Sequence, residues 1–136
     1  MYETKTLGLT EARSAIDAIL AAAATTEDPP IVVVVTDREG ESIAFVRMDG
    51  AQYVSRSMAA RKAYTSARTG VDSGTYGASM RQAGIDLKDL DPTFTGFAGG
   101  VCLHIDGAVV GAIGVSGRRA EQDEELARIG AGALVI

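Results

Sequence analysis

The sequence has little of several features that mark particular classes of protein. It contains one cysteine, one histidine and no tryptophan, and only 5% of its residues are aromatic. A single cysteine excludes an internal disulfide. No stretch approaches the roughly 18 apolar residues of a membrane-spanning helix. The net charge of −5 lacks the positive excess that nucleic-acid binding requires, so neither nucleic acid nor a membrane is expected as a partner.

The first residues also lack the pattern of a secretory signal peptide, which is a basic region followed by an apolar stretch and a small-residue cleavage site. We therefore expect a cytoplasmic protein. A length of 136 residues matches the commonest size of one domain, so a single domain over 1–136 is predicted. Alanine, valine and 16 glycines dominate the apolar content, which favours close packing of the elements and of neighbouring subunits.

Periodicity and breakers predict the order α-β-β-α-(short α)-β-β-α. Thr10 is the predicted N-cap of the first helix, and Asp106-Gly107 between apolar runs is a strong hairpin signal because both residues must adopt φ > 0. Two hairpins then form one antiparallel sheet covered by helices, an α/β (α+β) sandwich. The predicted helices are 11–24, 54–68, 76–83 and 120–134, and the predicted strands are 31–36, 42–48, 101–105 and 108–115.

Three local patterns follow one another along the chain. They are FVRMDGA at 45–51, AARKAYTSA at 59–67, and a glycine-rich segment from 99 that contains GAIGVSG at 111–117 and EQD at 121–123. Together they resemble the GlcG/HbpS family. That family includes a glycolate-utilisation accessory protein, a secreted heme-binding protein and the C-terminal domain of PduO-type proteins. The resemblance implies a profilin-like sandwich that assembles into homo-oligomers, mostly without an established reaction.

Two positively charged residues are candidates for binding an anion. Lys62 lies in an otherwise small and apolar stretch of helix, where it could reach an anionic ligand, act with a lowered pKa, or simply extend to solvent. Arg47 could bind a carboxylate in bidentate fashion or pair internally with Asp49. Asp49 in turn is a ligand-binding candidate or only closes a turn.

Two glycine-containing segments are further candidates for ligand binding. Gly99 and Gly100 could present backbone N–H groups as an anion-binding nest, or form a flexible turn before a strand. Ser116 and Gly117 precede a helix N-terminus, where orphan N–H groups favour anions. Asp123 is a candidate acid in that first turn, or it neutralises the helix itself.

Metal and cofactor sites have little support in the sequence. His104 is predicted to share a strand face with Cys102. We expect no metal site, and His104 is only a weak candidate for a metal ligand. No histidine occurs in the first helix or the central strands to serve as an axial ligand. We therefore expect no cofactor, and heme is not favoured.

The leading hypothesis is a small-molecule-binding protein that holds an anionic or carbonyl-bearing metabolite in a cleft between sheet and helices. The cleft is predicted between Arg47, Lys62, Gly99-Gly100 and Ser116-Gly117. One alternative is a cofactor-independent catabolic enzyme of the isomerase, dehydratase or decarboxylase type, with Lys62 or Asp123 transferring the proton. The other alternative is a heme-binding protein, and whether the chain is an enzyme is left open.

Overall fold

The computed structural model describes residues 1–134, which form a four-stranded antiparallel sheet between two layers of helices. The strands lie in the order β2-β1-β4-β3. The predicted element order is confirmed, with one further short helix between the predicted short helix and the second hairpin. The elements are α1 (Leu9–Ala23), β1 (Val32–Asp37), β2 (Ser42–Arg47), α2 (Tyr53–Thr69), α3 (Ser73–Ala83), α4 (Leu87–Leu90), β3 (Gly100–Ile105), β4 (Ala108–Ser116) and α5 (Ala120–Gly132).

The β-branched run in β1 forms an inner strand, paired with β2 on one side and β4 on the other. Its four valines are fully buried, as expected for a strand that is covered on both faces. The β3–β4 hairpin turns at Asp106 and Gly107, whose φ values of 51° and 81° are those of the predicted tight turn.

Each face of the sheet has its own apolar core. On one face Val33, Val35 and Ile113 pack with α1 and α5. On the other face Val32 and Val34 pack with the alanines of α2. The layers are therefore α1 and α5, then the sheet, then α2.

Small residues bring α2 unusually close to β4. A Cβ atom at Gly114 would overlap the carbonyl oxygen of Ala59 and lie 2.8 Å from the backbone nitrogen of Ala63. The glycine-rich strand and the alanine-rich helix therefore fit backbone against backbone, as the composition indicated.

Several local predictions are wrong in detail. Helix α1 begins at Leu9 with Gly8 as its N-cap and without a side-chain cap, so Thr10 lies inside the first turn. Helical spacing predicts inward side chains at Val54, Met58, Ala59 and Ala63. Ala59 and Ala63 are fully buried and Met58 is half-buried, but Val54 is 59% exposed. No helix within residues 1–134 is long and apolar enough to cross a membrane.

Candidate functional site

Lys62 extends from α2 to the end of the sheet instead of to solvent. Its Nζ donates hydrogen bonds to the carbonyl oxygen of Val115 at 2.9 Å and to Oδ2 of Asp123 at 3.2 Å. The Lys62 side chain is only 5% exposed and the Asp123 side chain 2%. The two catalytic candidates thus form one buried ion pair at the base of a cleft. We call it the floor pair.

Asp123 lies in the first turn of α5 and is held by more than the lysine. Its Oδ1 accepts a hydrogen bond from the backbone N–H of Arg118 at 3.0 Å, and the backbone of Gly117 helps to lower the pKa of this carboxyl. The carboxylate therefore occupies the helix N-terminus that the sequence offered as an anion site. Asp123, and not an external ligand, therefore supplies the negative charge at this helix N-terminus. This arrangement matches the alternative in which Asp123 neutralises the helix itself.

Burial affects the protonation of both members of the floor pair. Desolvation lowers the pKa of Lys62, and the nearby carboxylate of Asp123 only partly opposes this. Desolvation likewise raises the pKa of Asp123, against the opposing effects of Lys62 and the Arg118 N–H. The two shifts bring the proton affinities of amine and carboxylate closer together, which is the condition for proton exchange between them.

Gly99 and Gly100 lie directly against Lys62. A Cβ atom at Gly99 would come within 2.7 Å of the Lys62 Nζ, and one at Gly100 would overlap the Lys62 carbonyl oxygen. The N–H of Gly100 donates to Oγ of Ser73 at 2.9 Å, so it is not free for an anion. The absence of side chains at the two glycines therefore leaves the space that Lys62 occupies at the end of the sheet. The predicted anion-binding nest is not formed at Gly100, because its N–H already has a partner.

A cleft of about 380 Å³ lies above the floor pair, between the N-terminal half of α2, the segment before β3 and the start of α5. This volume is at the lower end of the range for small-molecule sites. The wall is mainly apolar, and the charged groups are grouped at the α5 side. The lining residues are Val54, Met58, Lys62, Phe97, Ala98, Ser116, Arg118, Ala120 and Asp123.

Arg47 and Asp49 are not part of this cleft. Arg47 is exposed and pairs with Val32, which in turn pairs with Ser116. Two strand spacings, about 10 Å, therefore separate Arg47 from Ser116. Arg47 lies far from Lys62 because β1 is inserted between β2, which carries Arg47, and β4.

His104 lies near the far end of β3. Its Nε2 is 3.0 Å from the carbonyl oxygen of Gly70 and 3.7 Å from Sγ of Cys102, so the predicted shared face with Cys102 is correct. Within residues 1–134, no three histidine, cysteine, aspartate or glutamate side chains are grouped closely enough to hold a metal ion.

A second cavity, of about 320 Å³, shares Phe97 with the first as a lining residue. Arg61, Arg81 and Lys88 line this second cavity with one acidic residue, Asp86. We call it the basic cavity. Its Arg61 donates to the carbonyl oxygens of Thr93 at 3.1 Å and Phe94 at 3.0 Å.

Sequence reasoning missed the residues that shape the opening of the cleft. Phe97 is 66% exposed, although it lies in a segment that suggested only a flexible approach to a strand. Arg118 was missed as well: its guanidinium donates to the carbonyl oxygens of Ala23 and Pro29 and so fixes the loop that presents Asp123. The one signal that the sequence offered for Phe97 is an aromatic residue within a glycine-rich segment.

Comparisons with known proteins agree on one family. A family model described as "Haem degrading protein HbpS-like" matches residues 7–132. The corrinoid adenosyltransferase PduO of Salmonella typhimurium is 33% identical over 107 residues, which cover 75% of this chain and 31% of that protein. The chain therefore spans less than a third of this curated relative.

Two solved structures have the same fold over nearly the whole chain. A double mutant of Streptomyces reticuli HbpS superposes with a TM-score of 0.91 at 33% identity, covering 100% of this chain and 92% of the other. A complex of PduOC with heme superposes with a TM-score of 0.85 at 27% identity, covering 95% of both chains.

The heme complex corrects one expectation. The missing histidine in the first helix and central strands led us to expect no cofactor and not to favour heme, and a relative with the same fold is a heme complex. The inference failed because histidine is only one of several axial ligands of heme iron, and methionine, cysteine and tyrosine are others.

Proposed function

This chain belongs to the HbpS-like family, and from that premise we propose that it binds heme in the cleft above the floor pair. The observation that carries the proposal is the exposed apolar wall of the cleft. Val54 is 59% exposed and Phe97 is 66% exposed, and both line the same cavity. Large apolar side chains left open to water beside a cavity favour a ligand with an apolar face.

The lining fits the chemistry of heme in a second respect. Met58 contributes the one sulfur of this lining, and a thioether is an established axial ligand type. His104 lies at the opposite end of β3 from Ala98 and is not in the lining. We therefore propose Met58, and not His104, as the candidate for contact with the iron, which supplies redox chemistry when heme is bound.

The basic cavity supports the same ligand class. A heme is apolar over most of its face and carries two carboxylates at one edge. Phe97 lines both the apolar cleft and the cavity that Arg61, Arg81 and Lys88 line. We propose that the ring lies in the cleft and that the carboxylate edge faces the basic cavity, because charge-assisted hydrogen bonds from arginine are strong.

A titration with hemin tests the proposal through the Soret band. The wild type should shift the band and saturate, Phe97→Ala should weaken the affinity, and Met58→Leu should change the position of the band with little loss of packing volume. His104→Ala is the matched control and should behave as wild type. The absence of a saturable shift, or a shift lost only in His104→Ala, would refute the site.

A second candidate function follows from the floor pair. An anionic or carbonyl-bearing metabolite would meet Lys62 and Asp123 at the base of the cleft, where the enzyme alternative places its proton transfer. Thermal shift with a panel of organic acids and carbonyl compounds tests this candidate. Unchanged melting temperatures at millimolar ligand would remove it.

We also propose a single domain and a homo-oligomeric assembly. Both apolar cores pack on one sheet, which supports one cooperative unit. Light scattering after size-exclusion chromatography measures the assembly, and a monomeric mass would contradict the oligomer.

A further inference from the structure

We propose that Lys62 forms a reversible imine with small aldehydes or ketones that enter the cleft. This activity goes beyond heme binding and does not depend on it. It rests on three features of the structure: a primary amine in the lining of a cavity, a carboxylate 3.2 Å from that amine, and exclusion of both from bulk water. Desolvation is a known way of activating a lysine toward carbonyl compounds, and a nearby carboxylate can transfer the protons that the reaction needs.

Burial favours the neutral form of this amine, whereas the carboxylate of Asp123 favours the ammonium form. Asp123 on α5 is the only charged group bonded to Nζ, and the other partner is the neutral carbonyl oxygen of Val115 on β4. The guanidinium of the lining, on Arg118, donates to the carbonyl oxygens of Ala23 at the end of α1 and Pro29 before β1. Burial also lowers the pKa of Lys62, which increases the fraction of free amine at neutral pH.

The carboxylate supplies the proton transfers that the reaction needs. Asp123 first accepts a proton from the ammonium group, and the free amine nitrogen then attacks the carbonyl carbon. The excess proton on the nitrogen then passes to the carbonyl oxygen, which gives a neutral carbinolamine. Protonated Asp123 returns its proton to the hydroxyl, water leaves, and a protonated C=N bond to Nζ remains beside the ionised Asp123 carboxylate. No oxidant, reductant or metal is consumed, and hydrolysis reverses each step.

The chain contains its own controls for this chemistry. Its lysines are Lys5, Lys62 and Lys88. Lys5 and Lys88 are exposed, and no carboxylate forms an ion pair with either in the described residues. A general reaction of lysines with aldehyde would therefore favour Lys5 and Lys88 on grounds of access, whereas the proposed site favours Lys62.

Reductive trapping decides between these outcomes. The folded, heme-free protein is incubated near neutral pH with propanal and cyanoborohydride, which reduces an imine to a stable secondary amine. Peptide mass spectrometry then compares the rates at the lysines. We expect the propyl adduct at Lys62 several-fold faster than at Lys5 and Lys88, with loss of that adduct in Lys62→Arg.

Asp123→Asn tests the role of the carboxylate. This variant should slow trapping at Lys62 and leave the rates at Lys5 and Lys88 unchanged. Labelling of Lys62 at or below the rate of the exposed lysines in folded wild type would overturn the proposal. Because this readout uses no heme, a negative result with a normal Soret titration would leave heme binding intact, and the reverse result would remove heme binding alone.

Discussion

Lys62 Nζ and Asp123 Oδ2 are 3.2 Å apart although 61 positions separate the two residues in the sequence. Lys62 belongs to the helix on one face of the sheet, and Asp123 belongs to a helix on the other face. The contact passes the end of β4 at Val115. The floor pair therefore links both helical layers at the point where the cleft opens.

The first prediction concerns the stability that depends on this link. Lys62→Met leaves the Asp123 carboxylate buried without its counter-ion, and removing one partner of a buried pair costs about 3–5 kcal/mol. Adding Asp123→Asn to Lys62→Met removes the unpaired charge and keeps an oxygen that accepts the hydrogen bond from the Arg118 N–H. The double variant should therefore be more stable than Lys62→Met alone.

Urea denaturation of the wild type, both single variants and the double variant gives the coupling free energy. Strictly additive losses would contradict a direct interaction between Lys62 and Asp123.

The second prediction concerns the close approach of α2 to β4. Gly114→Ala places a methyl group against the Ala59 carbonyl oxygen, and overpacking of this kind costs about 1–3 kcal/mol. Gly132→Ala is the control, because nothing lies within 4 Å of its Cβ position. Its stability should be unchanged or slightly increased, since alanine favours helix. Equal melting temperatures for the two variants would refute the close contact.

The third prediction concerns the pH dependence of Cys102. Desolvation, with a contribution from Asp72, raises the pKa of its thiol from 9.0 to about 11. Reaction with a thiol reagent should therefore stay slow through pH 9 in the folded protein and increase toward pH 11, because the thiolate reacts.

The same shift has a consequence for stability. The native thiol keeps its proton to higher pH than the unfolded one, so the native state is favoured less as pH rises between the two values. Cys102→Ser should remove this dependence. Rapid modification of folded wild type at pH 8, at the rate of the urea-unfolded chain, would contradict the burial of the thiol.

The fourth prediction concerns the orientation of heme. Arg81→Gln and Lys88→Gln should weaken the binding of hemin, because they remove positive charge from the basic cavity. The dimethyl ester of heme lacks the carboxylates, so its affinity should be nearly the same in wild type and variants. An equal loss for both ligands would place the carboxylate edge elsewhere.

The sequence was sufficient for the fold because its main signals are local. The valine run of β1, the Asp106-Gly107 turn and the glycine spacing of β4 depend on neighbouring residues, and the structure confirms the elements that they predict. The family resemblance added the expectation of a profilin-like sandwich.

The site was predicted only in part because it depends on contacts between distant segments. Lys62, Gly99, Ser116, Gly117 and Asp123 do meet at one end of the sheet. Arg47 does not, because strand order, which is not a local property, inserts β1 between its strand and β4. Strand order likewise could not be read from the composition of any one segment.

The most direct test of the heme site is an NMR experiment on the ¹⁵N-labelled protein with hemin. The paramagnetic iron broadens the amide signals of nearby residues. We expect broadening at Met58, Phe97, Ala98 and Ser116, with the amide of His104 still visible. Broadening centred on His104, or an unchanged spectrum at saturating hemin, would contradict this expectation.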